Sequence, residues 1–203
     1  MLHFERWSVV WQALFARPNR ALFEQLATAY AAPNRFYHTQ QHLAECLHHF
    51  DDARHLMQRP AEVELALWFH DAIYDARRGD NEERSAKWAR QAIANAGLDD
   101  QIMQRVADLI LLTRHDAPPV DADSALLLDI DLAILGAEPT RFAEYEAQIR
   151  QEYAWVPWPI YREKRTAVLQ SFLDRSSIYH TSHFKEQFEL KARINLMNAI
   201  QKL

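Results

Sequence analysis

The chain has 203 residues, 49% hydrophobic and 25% charged, enough to bury a substantial core and within the usual size of one domain. Its net charge of -5 offers no general attraction to nucleic acid phosphates, and no run approaches the roughly 18 apolar residues of a membrane span. With only 3 glycines and many Leu and Ala residues, the composition points to an all-α class, since hairpin turns usually call for Gly at positive φ. The one cysteine, Cys46, lies among apolar residues and reads as a small buried hydrophobe. A chain that cannot close a disulfide on itself suits a reducing, cytoplasmic compartment. Glu5, Arg6 and Ser8 interrupt the N-terminal apolar stretch, which therefore lacks the h-region of a signal peptide.

Taken in chain order, Phe4, Trp7, Trp11, Leu14 and Phe15 recur at helical spacing, and after Pro18-Asn19 a second stripe follows at Leu22, Phe23, Leu26 and Tyr30. The segment AAPNRFYH at 31–38 reads as a loop feeding a helix over 39–57, with Thr39 as its N-cap. Pro60 suits a first turn, and Val63, Leu65, Ala66, Leu67, Phe69 and Ile73 make the helix it begins apolar on most sides, as expected of a central buried helix. Asp80 can cap a helix over 81–96 that Gly97 stops, and Asp99 can cap another that runs to 113. Beyond Pro118-Pro119, a helix over 123–135 ends at Gly136, and Pro139 opens the next, with Phe142, Tyr145 and Ile149 on its stripe. The VPWP run at 156–159 then breaks the chain before two last helices over 160–174 and 182–201.

Two places break the apolar pattern. His70 and Asp71 follow Leu65-Ala66-Leu67-Trp68-Phe69 and precede Ala72-Ile73, so ionisable groups sit where a core helix should stay apolar, and buried charge needs a partner. Asp131 in LLLDIDLAILG is flanked at three and four residues by Leu127, Leu128, Ile134 and Leu135 on one helical face. Asp129 lies about 200° around that helix, so Asp131 is the preferred inward carboxylate and Asp129 the reserve. Imidazole and carboxylate together suit Mn, Mg, Fe, Co, Ni or Zn, and the facing helices of a bundle can gather them round a divalent ion.

The ordered pattern of a His, an adjacent His-Asp pair and a distant Asp, all on helices, resembles the HD superfamily. The phrases FYHTQQH at 36–42, WFHDAIYD at 68–75, DNEERSA at 80–86, LLTRHD at 111–116, DIDLAILG at 129–136 and IRQEY at 149–153 are together similar to one subfamily of metal-dependent phosphohydrolases, from Pro33 to the C-terminus. The resemblance implies a single HD-type helical domain over 1–203, with a metal-binding core over 33–153 and C-terminal helices over 160–202 packed on it. It implies His42, His70, Asp71 and Asp131 as metal ligands, and hydrolysis of a small phosphorylated metabolite or nucleotide by a metal-activated water. Members with two metals place two further histidines between the His-Asp pair and the last Asp; this chain has only His115 there, which implies one ion and hydrolysis rather than oxygen chemistry.

Other candidates carry a plain reading beside the functional one. Glu82 is a proton-transfer candidate with Asp71, although an acidic residue in a first turn also answers the helix dipole. His115 is a third catalytic candidate, or a complement to a helix C-terminus. Arg77, Arg78 and Arg114 lie in loops after motif helices, where they could grip substrate phosphate or simply be solvated. Tyr37 could stack on a base, and His38 could face substrate or serve the loop. Trp155, Trp158 and Tyr161 suggest a rigid aromatic lid or plain packing against the bundle, and His48 and His49 are assigned to surface or core rather than to the metal. The expected partner is a small phosphorylated substrate, with no membrane and no nucleic acid, and a homodimer is compatible with the pattern. The rival reading is a non-catalytic HD-fold module that binds a nucleotide or phosphorylated ligand; a purely structural scaffold leaves the ionisable groups inside apolar helices unexplained.

Overall fold

Helix-end chemistry sets the layout. In the computed structural model, which describes residues 2–203, Asn19 caps α2 (Arg20–Ala29) by accepting from the Leu22 amide, and Thr39 caps α3 (Gln40–Ala53) by accepting from the Gln41 amide. Ahead of them lies α1 (Phe4–Ala13). Pro60 opens α4 (Pro60–Phe69), and Gly97, at φ 71, follows α5 (Asn81–Asn95) in a left-handed conformation that glycine adopts without strain. Asp99 caps α6 (Asp100–Leu112), as its sequence position predicts. Among the described residues no strand occurs, and no helix is long and apolar enough to cross a membrane.

Three boundaries differ from expectation. Asp80 does not cap α5, because its carboxylate is taken by the Arg78 guanidinium in two bonds of 2.6 Å. The helix expected to start at 123 is α7 (Ala122–Asp131), whose cap is Asp121 in a reciprocal box with Ser124, and it tightens into a 3-10 turn (Leu132–Gly136) directly after Asp131. After α8 (Pro139–Glu152), the VPWP run is not wholly a break: Pro157 precedes α9 (Trp158–Leu173), and Pro159 occupies its first turn, where a missing amide costs nothing. Thr181 caps the last helix, α10 (Ser182–Lys202).

The core is built round α4, as its nearly all-apolar surface predicts. Val63, Leu65, Ala66, Leu67, Trp68 and Phe69 are fully buried, and α1, α3, α5, α6 and α7 pack against this helix. Truncating one of these large side chains to Ala should cost about 2–5 kcal/mol. Its two buried carboxylates are paired: Glu62 takes the Arg105 guanidinium of α6 in two bonds of 2.7 Å, and Glu64 takes Arg6 of α1 at 2.7 Å. One continuous hydrophobic cluster runs from Trp7 to Ala199. At its far side α10 lies so close to the turn after α7 that a Cβ on Gly136 would sit 2.6 Å from the Phe188 Cβ. Glycine at 136 therefore serves backbone contact rather than a left-handed stop.

Candidate metal centre

Three helix ends bring the ionisable groups together. His42 stands in the first turn of α3, Asp131 is the last residue of α7, and His70 is the C-cap of α4 with Asp71 in the turn beyond it. Because α4 has ended there, two adjacent residues can turn towards one point. The location also carries the negative end of the α4 dipole, which favours a cation.

The donor atoms form a compact cage. His42 Nε2 lies 3.2 Å from His70 Nε2, 3.4 Å from Asp71 Oδ2 and 3.2 Å from Asp131 Oδ1. His70 Nε2 lies 3.0 Å from Asp71 Oδ2 and 3.5 Å from Asp131 Oδ1. Ligands bound at about 2.0–2.2 Å to one ion in tetrahedral or octahedral geometry are separated by about 2.8–3.6 Å, so these five separations match those of a coordination shell. The ring of His70 is already oriented for coordination, because Nδ1 donates to the Leu67 carbonyl at 2.8 Å and so leaves the Nε2 lone pair of the neutral ring facing the cage.

Cys46, one turn beyond His42, belongs to the same neighbourhood. One donor atom each from His42, Cys46, His70 and Asp131 lie within 4.8 Å of one another, close enough to hold a metal ion. Its Sγ is 3.7 Å from both nitrogens of His42, a separation that suits the longer metal bond of a sulfur ligand, about 2.3 Å, while Asp71 Oδ2 lies 3.4 Å and 3.0 Å from the two imidazoles, so both side chains offer a donor here. The sequence reading of Cys46 as a buried hydrophobe describes its burial and misses this position.

Burial opposes every charge in the cage, and mutual pairing overrides it. Both imidazoles are lowered by burial yet held well above their ordinary pKa, His42 by Cys46, Tyr37, Asp131 and Asp71, and His70 by Asp71, Tyr30 and Asp131. Both carboxyls are raised by burial yet lie well below the usual range, Asp71 through His70, His38 and His42, and Asp131 through His115, His42 and His70. A field that favours positive charge on two imidazoles also favours a cation in place of their protons, which metal binding releases. The residues present fit a metal.

No family model matches the chain, and no curated protein or solved structure matches it.

Around the cage the remaining candidates divide. His115 reaches it: Nε2 lies 2.9 Å from Asp131 Oδ2, so one oxygen of that carboxylate is steadied while the other faces the imidazoles. The residue sits at φ 57, in the left-handed region that costs a non-glycine side chain about 1–2 kcal/mol. Glu82 is half-buried on the wall of the cleft that opens beside the cage, and burial, with Asp71 and Glu83 nearby, raises its carboxyl. His38 lines the same cleft, held by a 2.7 Å bond from Nδ1 to Glu152 and stacked on Tyr74 at 3.9 Å.

The other candidates are engaged by neighbouring side chains or backbone. Tyr37 cannot stack on a base, because it is only 5% exposed and its ring is wedged between His42 and Tyr145. Arg77 does not itself line the cleft; its guanidinium lies over Trp155, 5.2 Å from the ring centre. Arg78 and Arg114 do line the cleft, yet Arg78 is bound to Asp80 and Arg114 to Glu83 at 2.5 Å. Asp129 has no part in the cage: it is fully buried and accepts from the amides of His180 and Thr181 and the Thr181 hydroxyl, at 2.6–2.8 Å. His48 is exposed, and His49 packs on Phe184 and Phe188.

Three residues of the site are absent from the sequence expectation. Glu152 accepts the amides of Phe36, Tyr37 and His38 at 2.8–3.0 Å and the Tyr74 hydroxyl at 2.9 Å. Arg35 donates to the carbonyls of Asp71, Ala72 and His38 at 2.5–3.1 Å, tying the loop before α3 to the turn after α4. Lys164 of α9 lines the cleft. Glu152 lies within one of the motif phrases, but its role depends on contacts across the chain that no local period reveals.

Proposed function

We propose that this protein is a metal-dependent phosphohydrolase in which one divalent ion is held by His42, His70, Asp71 and Asp131. The observation that carries the reading is a pair of imidazoles that lie 3.0–3.5 Å from each other and from the carboxylates of Asp71 and Asp131, beside a cleft of about 900 Å³. A divalent ion there would supply an activated water and polarise a phosphoryl oxygen. Mn, Mg, Fe, Co, Ni and Zn all suit such a donor set.

The chain's own residues complete the chemistry. Through its second oxygen His115 orients Asp131, as groups behind a metal ligand commonly do. Arg35 fixes the backbone on which Asp71 is carried. Glu82, with its carboxyl raised by burial, is suited to hand a proton to the departing oxygen. His38, oriented by Glu152 and Tyr74, borders the space in which the ester would lie.

The test is metal analysis of the purified protein, followed by a screen of phosphomonoesters and nucleotides with several divalent ions. Hydrolysis should appear with the metal-loaded protein, and chelation should lower its thermal stability. Asp71→Ala should abolish turnover and leave the helical circular dichroism intact. A fully active Asp71→Ala protein would remove the catalytic reading.

A further inference from the structure

The walls of the cleft differ in chemistry from the cage at its side. Apolar side chains from α9 and the segment before it face this space, among them Trp155, Val156, Ile160, Val168 and Phe172. Trp155 and Ile160 are each 51% exposed and Val168 46%, a concentration of exposed apolar surface that helices facing water rarely present without use. On α9 the cleft residues Ile160, Lys164, Val168 and Phe172 fall at intervals of four, so one face of that helix is turned to the cleft.

The cationic side chains of the cleft are almost all spoken for. Arg78 is held by Asp80, Arg114 by Glu83 and by Asp116 at 3.2 Å, and Arg165 by Glu146 and the Tyr145 hydroxyl. Lys164 alone among the lysines and arginines lining the cleft has no carboxylate partner among the described residues. A polyphosphate needs several free cations or a nest of glycine-rich amides. This cleft offers one lysine free of a carboxylate partner among the described residues, and its only lining glycine among them is Gly79.

We infer that the cleft takes phosphomonoesters of apolar, ring-sized alcohols rather than nucleoside polyphosphates, with Lys164 as the side chain that meets the substrate's negative charge. The inference rests on the phosphohydrolase reading for its catalytic half only. A monoester dianion would meet the divalent ion on one side and one ammonium on the other, while the apolar face of α9 receives the organic group. The cleft, about 900 Å³, has room for such a ligand and lies within the usual size of a small-molecule site.

The experiment compares naphthyl phosphate, glycerol phosphate, AMP and ATP as substrates of the metal-loaded protein, and measures calorimetric binding of naphthyl phosphonate, which cannot be hydrolysed. Naphthyl phosphate should exceed glycerol phosphate and ATP in kcat/KM by about tenfold or more, in keeping with the burial of one aromatic group. Lys164→Ala should raise KM for naphthyl phosphate about tenfold with kcat nearly unchanged, and Lys164→Arg should restore most of it. Val168→Asp should remove the aryl preference. If no ester is hydrolysed yet naphthyl phosphonate binds in a manner that depends on Lys164, the specificity stands and the catalytic reading falls. Tighter use of ATP, AMP or glycerol phosphate, no binding of the phosphonate, or indifference of both KM and binding to Lys164→Ala would overturn the inference.

Discussion

Buried and half-buried carboxylates in this bundle differ in what faces them: Glu62 and Glu64 pair with arginines, a second group meets backbone amides, and the two of the cage meet imidazoles. Asp123 accepts the amides of Gln58 and Arg59 at 2.7–2.9 Å, Asp129 those of His180 and Thr181, Glu152 those of Phe36, Tyr37 and His38, and Glu189 those of Ile178 and Tyr179. Each staples a loop by satisfying amides that burial would otherwise leave unpaired. Asp71 and Asp131 take no backbone amide among the described residues and face imidazoles instead. A carboxylate whose partners are backbone amides is structural; one whose partners are other metal-binding side chains is available for an ion.

The contrast is tested most strongly on the two aspartates two residues apart. Asp131→Asn should lower metal affinity by about a thousandfold in calorimetric titration, roughly 4 kcal/mol, with little change in the metal-free melting temperature. Asp129→Asn should do the reverse, keeping the metal and losing about 2–4 kcal/mol of folding stability, because a buried acceptor of three hydrogen bonds loses its charge and half its acceptors. If Asp129→Asn lost the metal while Asp131→Asn kept it, the division between the two kinds of carboxylate would collapse.

Glu152 sharpens the comparison through pH. Burial raises its carboxyl, but the His38 bond and charge and the loop amides override this and bring it from the ordinary 4.5 down to about 2. A carboxyl depressed by folding contributes stability that is complete above its unfolded pKa and is lost as pH falls towards its folded one. Denaturant midpoints should therefore drop between pH 4.5 and about 2, and Glu152→Gln should flatten that limb while costing about 2–3 kcal/mol at neutral pH. An acid limb identical in the two proteins would mean that other groups carry it.

The smallest effect is expected at His115, which touches the cage from behind. His115→Phe should weaken metal binding by about tenfold, as loss of a group orienting a ligand commonly does, and leave the other ligands in place. Unchanged affinity would make the His115 contact incidental.

What is legible in the chain follows from the same physics. A polar residue inside an apolar helical stripe is visible in the sequence, which is why His70, Asp71 and Asp131 stand out and why the all-helical class follows from composition and spacing. Capping is legible wherever one candidate stands at a boundary, as at Asn19, Thr39 and Asp99. It fails where neighbours compete: Arg78 draws off Asp80, and Asp121 precedes Asp123. Loop residues are the poorest guide, because their direction is set by distant partners. Nothing local marks Arg77 as turned to Trp155, or Arg35 as bound to three carbonyls.

The clasp between Glu152 and the Phe36 amide joins residues 116 apart in sequence. Closing so large a loop is entropically costly and slow, so the local helices and the α4 core can form before this clasp does. Contacts made that late sit on the native side of the folding barrier. A ligand held by groups that the clasp aligns would consequently lengthen the lifetime of the folded molecule and leave the rate of its formation unchanged.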